Sequence, residues 1–182
     1  MKIVETPLDG LVLIEPTVFG DARGYFYEMY HRRAYQNAGI DVEFVQDNRS
    51  ASQQGVLRGL HFQKKNPQGK LVTALRGEVF DVAVDIRPNS STFGQHYSVI
   101  LSEDNKLQMY IPPGFAHGFA VLSDYAEFYY KCTTYYDPES ESGISWNDET
   151  IAIDWPIKKP ILSAKDKILG SFQDYKNMLE NK

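Results

Sequence analysis

Val79-Phe80-Asp81-Val82-Ala83-Val84-Asp85-Ile86 carries the clearest alternation in the chain. Phe80, Val82, Val84 and Ile86 share one face and Asp81 and Asp85 the other, the period of two expected of a half-buried β-strand. Arg87-Pro88-Asn89-Ser90 is its stop. Outward from this strand, similar short runs recur at Leu11 to Pro16, Tyr25 to Tyr30, Val42 to Asn48, Tyr97 to Leu101, Leu107 to Ile111, Phe119 to Leu122 and Glu127 to Tyr136. Short polar or Pro/Gly turns separate them, while polar Arg49 to Gly55 reads as a connection. There is no βαβ alternation and no repeat, so the pattern predicts an all-β chain, an antiparallel sandwich or barrel. Two helices are expected at its periphery. His31 to Ala38 is short and ends at Gly39. In the tail from Lys165 to Lys182, Ile168, Leu169, Phe172, Tyr175, Met178 and Leu179 fall at roughly helical spacing and predict a helix packed on the barrel.

With 182 residues, 42% of them hydrophobic, the chain is long enough to bury a sizeable core, and one domain over residues 1–182 is expected. The net charge of -5 argues against a general nucleic-acid or anionic-membrane binder, though a local basic cluster still permits an anionic ligand. The single cysteine, Cys132, excludes an intrachain disulfide and reads as a buried structural thiol in a reducing compartment. No run approaches the ~18 apolar residues of a spanning helix, and the first residues lack a signal peptide's apolar core, so a soluble, cytoplasmic protein is expected.

Three stretches carry chemistry. Gly55-Val56-Leu57-Arg58-Gly59-Leu60-His61-Phe62-Gln63, followed by Gly69-Lys70-Leu71-Val72, puts a base and two cations where strands normally spend Val, Ile and aromatics. That predicts a pocket lining, the alternative being a core histidine with two solvated cations. Arg58 and His61 fall on opposite faces of a regular strand, and a bulge at Gly59 would realign them. In Ala126-Glu127-Phe128-Tyr129-Tyr130-Lys131-Cys132, alternation turns Phe128, Tyr130 and Cys132 inward, away from Glu127 and Lys131. Finally, Ile111-Pro112-Pro113-Gly114-Phe115-Ala116-His117-Gly118-Phe119 reads as a rigid turn with a histidine just beyond it.

Pro112, Gly114 and His117 match the second signature of the cupin barrels, a small jelly roll. The first cupin signature would supply His-x-His, but His61-Phe62-Gln63 stands here. One lost histidine leaves too few ligands for a divalent metal, and the sequence looks like a cupin without its metal.

Arg23 to Glu28, Gln46-Asp47-Asn48, Leu57 to His61, Gln68 to Val72, Pro112 to Phe119, Tyr130-Lys131-Cys132 and Ser163-Ala164-Lys165-Asp166 together resemble the dTDP-4-dehydrorhamnose 3,5-epimerase family nearly end to end. The resemblance implies a cupin-type jelly-roll barrel with a few short helices, working without metal or cofactor as a homodimer. It further implies inversion of carbons 3 and 5 of dTDP-4-dehydro-6-deoxy-glucose on the route to dTDP-L-rhamnose. On this resemblance His61 is the base, Asp166 its orienting partner, Lys70 the cation beside the enolate oxygen and Tyr130 the proton donor. Arg23, Phe26, Glu28, Gln46, Asp47, Asn48, Arg58, His117, Glu141 and Lys165 match substrate-contacting positions, with the Arg23 to Glu28 strand serving the partner's site. His31 and His96 match nothing. Relatives that invert one carbon or isomerise the keto group share much of this pattern. Two other classes stay open: a metal-dependent cupin using His61, Gln63 and His117, and a sugar-nucleotide binding module without catalysis.

Overall fold

The structure is a computed structural model that describes residues 1–180; Asn181 and Lys182, the end of the expected tail helix, lie outside the described residues. Along the chain the strands are β1 (Lys2–Glu5), β2 (Val12–Glu15), β3 (Phe19–Asp21), β4 (Gly24–Phe26), β5 (Gln46–Gln53), β6 (Leu57–Gln63), β7 (Lys70–Arg76), β8 (Glu78–Asp85), β9 (His96–Ser102), β10 (Gln108–Ile111), β11 (Phe115–Val121), β12 (Tyr125–Cys132) and β13 (Glu141–Gly143). The helices are α1 (Arg32–Asn37) and α2 (Phe172–Glu180). A six-stranded sheet, in the order β1-β2-β10-β7-β12-β5, faces a five-stranded one, β13-β6-β11-β8-β9. The strand pairs within them are antiparallel, and β3 and β4 form a separate hairpin. This is the cupin-like jelly roll.

Apolar residues fill the space between the sheets, with Val72, Met109 and Phe128 from one meeting Ala83, Leu101 and Phe119 from the other. A second core lies behind the five-stranded sheet. There Val82, Val84 and Ile86 pack against Ile144, Ile151, Trp155 and Phe172 of the C-terminal segment. Because that segment covers the back, β8 is buried on both faces and not half-buried as its alternation suggested. The face carrying Asp81 and Asp85 turns into the barrel, and both carboxylates are wholly buried. Asp85 is satisfied by Arg87, Ser90 and Thr92. Burial works to raise its carboxyl, but those donors outweigh it and hold the group well below the usual carboxylate range. Arg87 in turn packs where a Cβ on Gly114 would stand, 2.6 Å from its Cγ, which with φ +89° explains the glycine of the Pro112–Gly114 turn.

Several boundaries differ from the sequence reading. The strand expected over Val42 to Asn48 lies later, as β5, and includes the polar residues read as a connection. Its side chains are polar, but its backbone pairs with β12 from Gln46↔Cys132 to Gln53↔Tyr125, which the sequence pattern does not encode. The strand at Tyr25 to Tyr30 shrinks to β4. His117, expected just beyond a turn, lies within the wholly buried β11. The tail is not one helix. A 3₁₀ turn at Asp166–Ile168 is followed by Gly170, whose backbone bridges Ile144, and only then by α2. Ile168 is 82% exposed, whereas Phe172 is buried and the Tyr175 hydroxyl donates to the Ile86 carbonyl at 2.9 Å. The short helix α1 matches expectation: His31 Nδ1 accepts from the Ala34 amide at its start, and Gly39 follows at φ +87°. It packs Tyr35, with Ile40 just beyond, on the outer face of the six-stranded sheet against Ile14, Leu71 and Tyr110.

Candidate active site

The site begins with an irregularity in β6. His61 pairs with His117 and Arg58 with Phe119, so three steps on β6 oppose two on β11 and one residue is extra. Gly59 stands there at φ +124°, and a Cβ on it would come within 2.5 Å of Gly118 Cα. The expected bulge is therefore present, and it brings Arg58 and His61 to one cavity.

Two adjoining cavities, of about 310 and about 420 Å³, share His61, Lys70 and Tyr130 and form one cleft between the sheets. Gln46, Asn48, Tyr136 and Glu141 line the first, and Arg58, His117, Lys165 and Asp166 the second. His61 stands on the five-stranded sheet, whereas Lys70 and Tyr130 stand on the six-stranded sheet facing it.

His61 Nε2 lies 2.5 Å from Asp166 Oδ1, and Ser163 Oγ donates to Asp166 Oδ2 at 2.8 Å. Burial pushes the Asp166 carboxyl up, but the bonds from His61 and Ser163 outweigh it and leave it below the ordinary carboxylate range. An ionised carboxylate only accepts, so the proton of this bond belongs to Nε2 and the neutral ring keeps a lone pair on Nδ1.

Lys70 has a cation–π contact with the Tyr130 ring at 5.9 Å but no hydrogen bond or ion pair among the described residues. Burial lowers its ammonium's pKa, while Cys132, Asp81 and Glu141 oppose that shift. Burial also pushes the Tyr130 phenol up, keeping it protonated at neutral pH. Glu141 accepts from both Lys165 and Tyr136 across the junction of the two cavities. Burial works against its ionisation, yet those two donors hold it below the usual range.

Beside His61 stands a second pair. His117 Nε2 lies 3.0 Å from each oxygen of Asp81, with the imidazole 7% and the carboxylate 0% exposed. Burial pushes His117 down, so it is neutral at pH 7. Asp81 was invisible as a site residue because its alternation read as a solvent face. Ser163 and Tyr136 were missed as well, being common polar residues of irregular segments.

The remaining predicted residues separate. Asp47 turns to the opposite face of β5 from Gln46 and Asn48, as strand alternation dictates, and pairs with Lys131 at 2.7 Å. Arg23 pairs with Asp21 on the exposed hairpin, and Phe26 and Glu28 line a different cavity with Phe19 and Tyr35. Within one chain these three do not reach the cleft residues. Cys132 is buried, with its thiol pushed up by burial, as the structural reading expected. The set His61, Gln63 and His117 does not fit a metal. Gln63 spends its amide on the Asn66 and Tyr135 carbonyls and the Asp137 amide, and both histidines already hold carboxylates.

The family model described as dTDP-4-dehydrorhamnose 3,5-epimerase matches residues 5–174. The chain is 57% identical over 177 residues to dTDP-4-dehydrorhamnose 3,5-epimerase of Escherichia coli (strain K12), covering 96% of each chain. Among solved structures it is similar to dTDP-6-deoxy-D-glucose-3,5-epimerase of Legionella pneumophila Philadelphia 1 in complex with dTDP-4-keto-L-rhamnose, at 55% identity and a TM-score of 0.92, covering 94% of this chain and 93% of that one. It is also similar, at 28% identity and a TM-score of 0.84, to a 3'-monoepimerase of Streptomyces bikiniensis in complex with dTDP-quinovose, covering 97% and 96%.

Proposed function

The chain belongs to the dTDP-4-dehydrorhamnose 3,5-epimerase family, and from that premise we propose that it converts dTDP-4-dehydro-6-deoxy-α-D-glucose to dTDP-4-dehydro-β-L-rhamnose by inverting carbons 3 and 5. The observation that carries the mechanism is the facing of His61 on one sheet by Lys70 and Tyr130 on the other.

Hydrogens on carbons 3 and 5 are acidic because the electrons of either broken C–H bond delocalise onto the carbon 4 oxygen. His61 Nδ1 takes the proton, and Asp166 holds the tautomer and stabilises the imidazolium formed. The ammonium of Lys70 stabilises the enolate oxygen as charge develops there, in a cleft where solvent screens it little. Tyr130 then delivers its phenolic proton to the opposite face of the carbon, inverting it. Solvent reprotonates Tyr130 and removes the proton from His61, so each inversion leaves one solvent hydrogen in the product.

Arg58, Lys165 and His117 serve the substrate beside this centre, and Gln46, Asn48 and Glu141 line the adjoining cavity. Arg58 is the guanidinium suited to a diphosphate oxygen, and Lys165 is released to one when Glu141 yields it. Arg23, Phe26 and Glu28 act in trans in a cytoplasmic homodimer. Two features support that reading: their distance from the cleft residues of their own chain, and the exposed aromatics Phe19, Tyr25 and Phe26 on the hairpin.

The test is solvent deuterium incorporation into the substrate, read by NMR with wild type and Tyr130→Phe in parallel. Label at both carbons in wild type supports the double inversion, and no label overturns the assignment. The likeness to a 3'-monoepimerase favours a second reading, a single inversion, for which label would appear at one carbon alone.

A further inference from the structure

A fully buried carboxylate needs a reason, because desolvating a charge costs several kcal/mol unless something repays it. Asp81 is such a group, and its hydrogen bonds among the described residues go only to His117 Nε2. His117 is neutral, so it satisfies the carboxylate's lone pairs without cancelling its charge. Across the barrel, Lys70 presents the opposite case, an ammonium turned into the cleft with no hydrogen bond or ion pair among the described residues.

The other groups around Lys70 do not supply its counter-charge. From β12 come Tyr130 and Cys132, both neutral with pKa values raised by burial. β6 brings His61 and the cation Arg58, and β11 brings neutral His117. Glu141 on β13 is already tied to Lys165, and Asp166 is bonded to His61 and Ser163. Asp81 stands directly behind His117, which lines the same cavity as Lys70, and is the carboxylate in this set with no cationic partner among the described residues; it is also among the groups that oppose the lowering of Lys70. We infer that Asp81 is a positioning residue for the epimerisation, acting through its neighbours: it fixes His117 with the proton on Nε2, and its charge keeps Lys70 an ammonium. The first half follows from the two hydrogen bonds of the pair, and the second from the place of that carboxylate behind His117, in the wall of the cavity that Lys70 also lines.

This rests on the proposed role of Lys70 at the enolate oxygen, but its test does not require turnover. Asp81→Asn keeps an oxygen that accepts from His117 while removing the charge. With 13C-labelled lysine and Lys70 assigned by its loss in Lys70→Arg, the side-chain titration of Lys70 is expected about one pH unit lower in Asp81→Asn than in wild type. In turnover, the alkaline limb of kcat/KM is expected to move down with it while the acid limb stays. A Lys70 titration unmoved by Asp81→Asn overturns the inference, as does a uniformly lower rate with both limbs unchanged. Should Asp81→Asn fail to fold, wild type alone still decides, since a Lys70 already neutral at pH 7 would leave nothing for Asp81 to hold. A shifted titration with no deuterium incorporation would instead preserve this coupling and sink the epimerase reading.

Discussion

Two histidine–carboxylate pairs stand side by side on neighbouring strands, with His61 directly opposite His117. They differ in what lies behind them. His61 is 28% exposed and its partner comes from an irregular C-terminal segment, whereas His117 and Asp81 are both buried inside the barrel. The first pair therefore has access to substrate and to solvent, which a group that must gain and lose a proton in each cycle requires. The second is held neutral on its imidazole by burial and suits a fixed dipole and a fixed charge. Similar chemistry is thus divided by burial into a working pair and a setting pair.

Four substitutions break or sharpen this contrast. His61→Ala removes the base and is expected to lower kcat by about 10³- to 10⁴-fold with little change in unfolding free energy, measured by turnover and urea titration. His117→Phe should reverse that balance. It leaves Asp81 buried without a partner and is expected to cost about 3 kcal/mol in urea unfolding, several times the cost of His61→Ala. If the two variants proved equally destabilising, the division would fail.

Asp166→Asn tests the working pair from its other side, with an expected loss of about 10²-fold in kcat as the imidazole loses its fixed tautomer. Its pH signature has a definite sign. The folded carboxyl titrates below its unfolded value, so its stabilising contribution is full above the ordinary carboxylate range and is lost as pH falls through the depressed value. The gap in stability between wild type and Asp166→Asn should therefore narrow in acid urea titrations and be unchanged from pH 6 to 8.

Lys70→Met deletes a desolvated ammonium and should stabilise the fold by about 1 kcal/mol while abolishing turnover. Since burial lowers the folded pKa of Lys70, the wild-type penalty is full below that value and fades as pH rises toward the ordinary lysine range. The gain in Lys70→Met should shrink over the same interval, and a gain independent of pH would argue against a charged Lys70.

The alternation of Val79 to Ile86 located β8 and its two faces, yet assigned the aspartate face to solvent because a charged face ordinarily lies there. The misreading has a definite cause: the residues that cover the other face, Ile151, Trp155 and Phe172, lie more than sixty positions away, and no local pattern records where they pack. Strand β5 shows the complementary failure. Its polar side chains carry no strand signal, and it exists because β12 offers a backbone edge to pair with.

What the sequence by itself determined is the set of reactive side chains, the jelly-roll class and the need for something unusual at Gly59. Those depend on residue type, short-range periodicity and motif spacing, all of which are local. Tertiary structure alone decided that Asp81 faces inward and that Asp47 faces away from the cleft, and it supplies the contact of His61 with Asp166, 105 positions further along the chain, that the resemblance implied. Such facts depend on which surfaces are covered and which strand edges pair. Burial and hydrogen bonding act between groups that are near in space, whatever their separation along the chain.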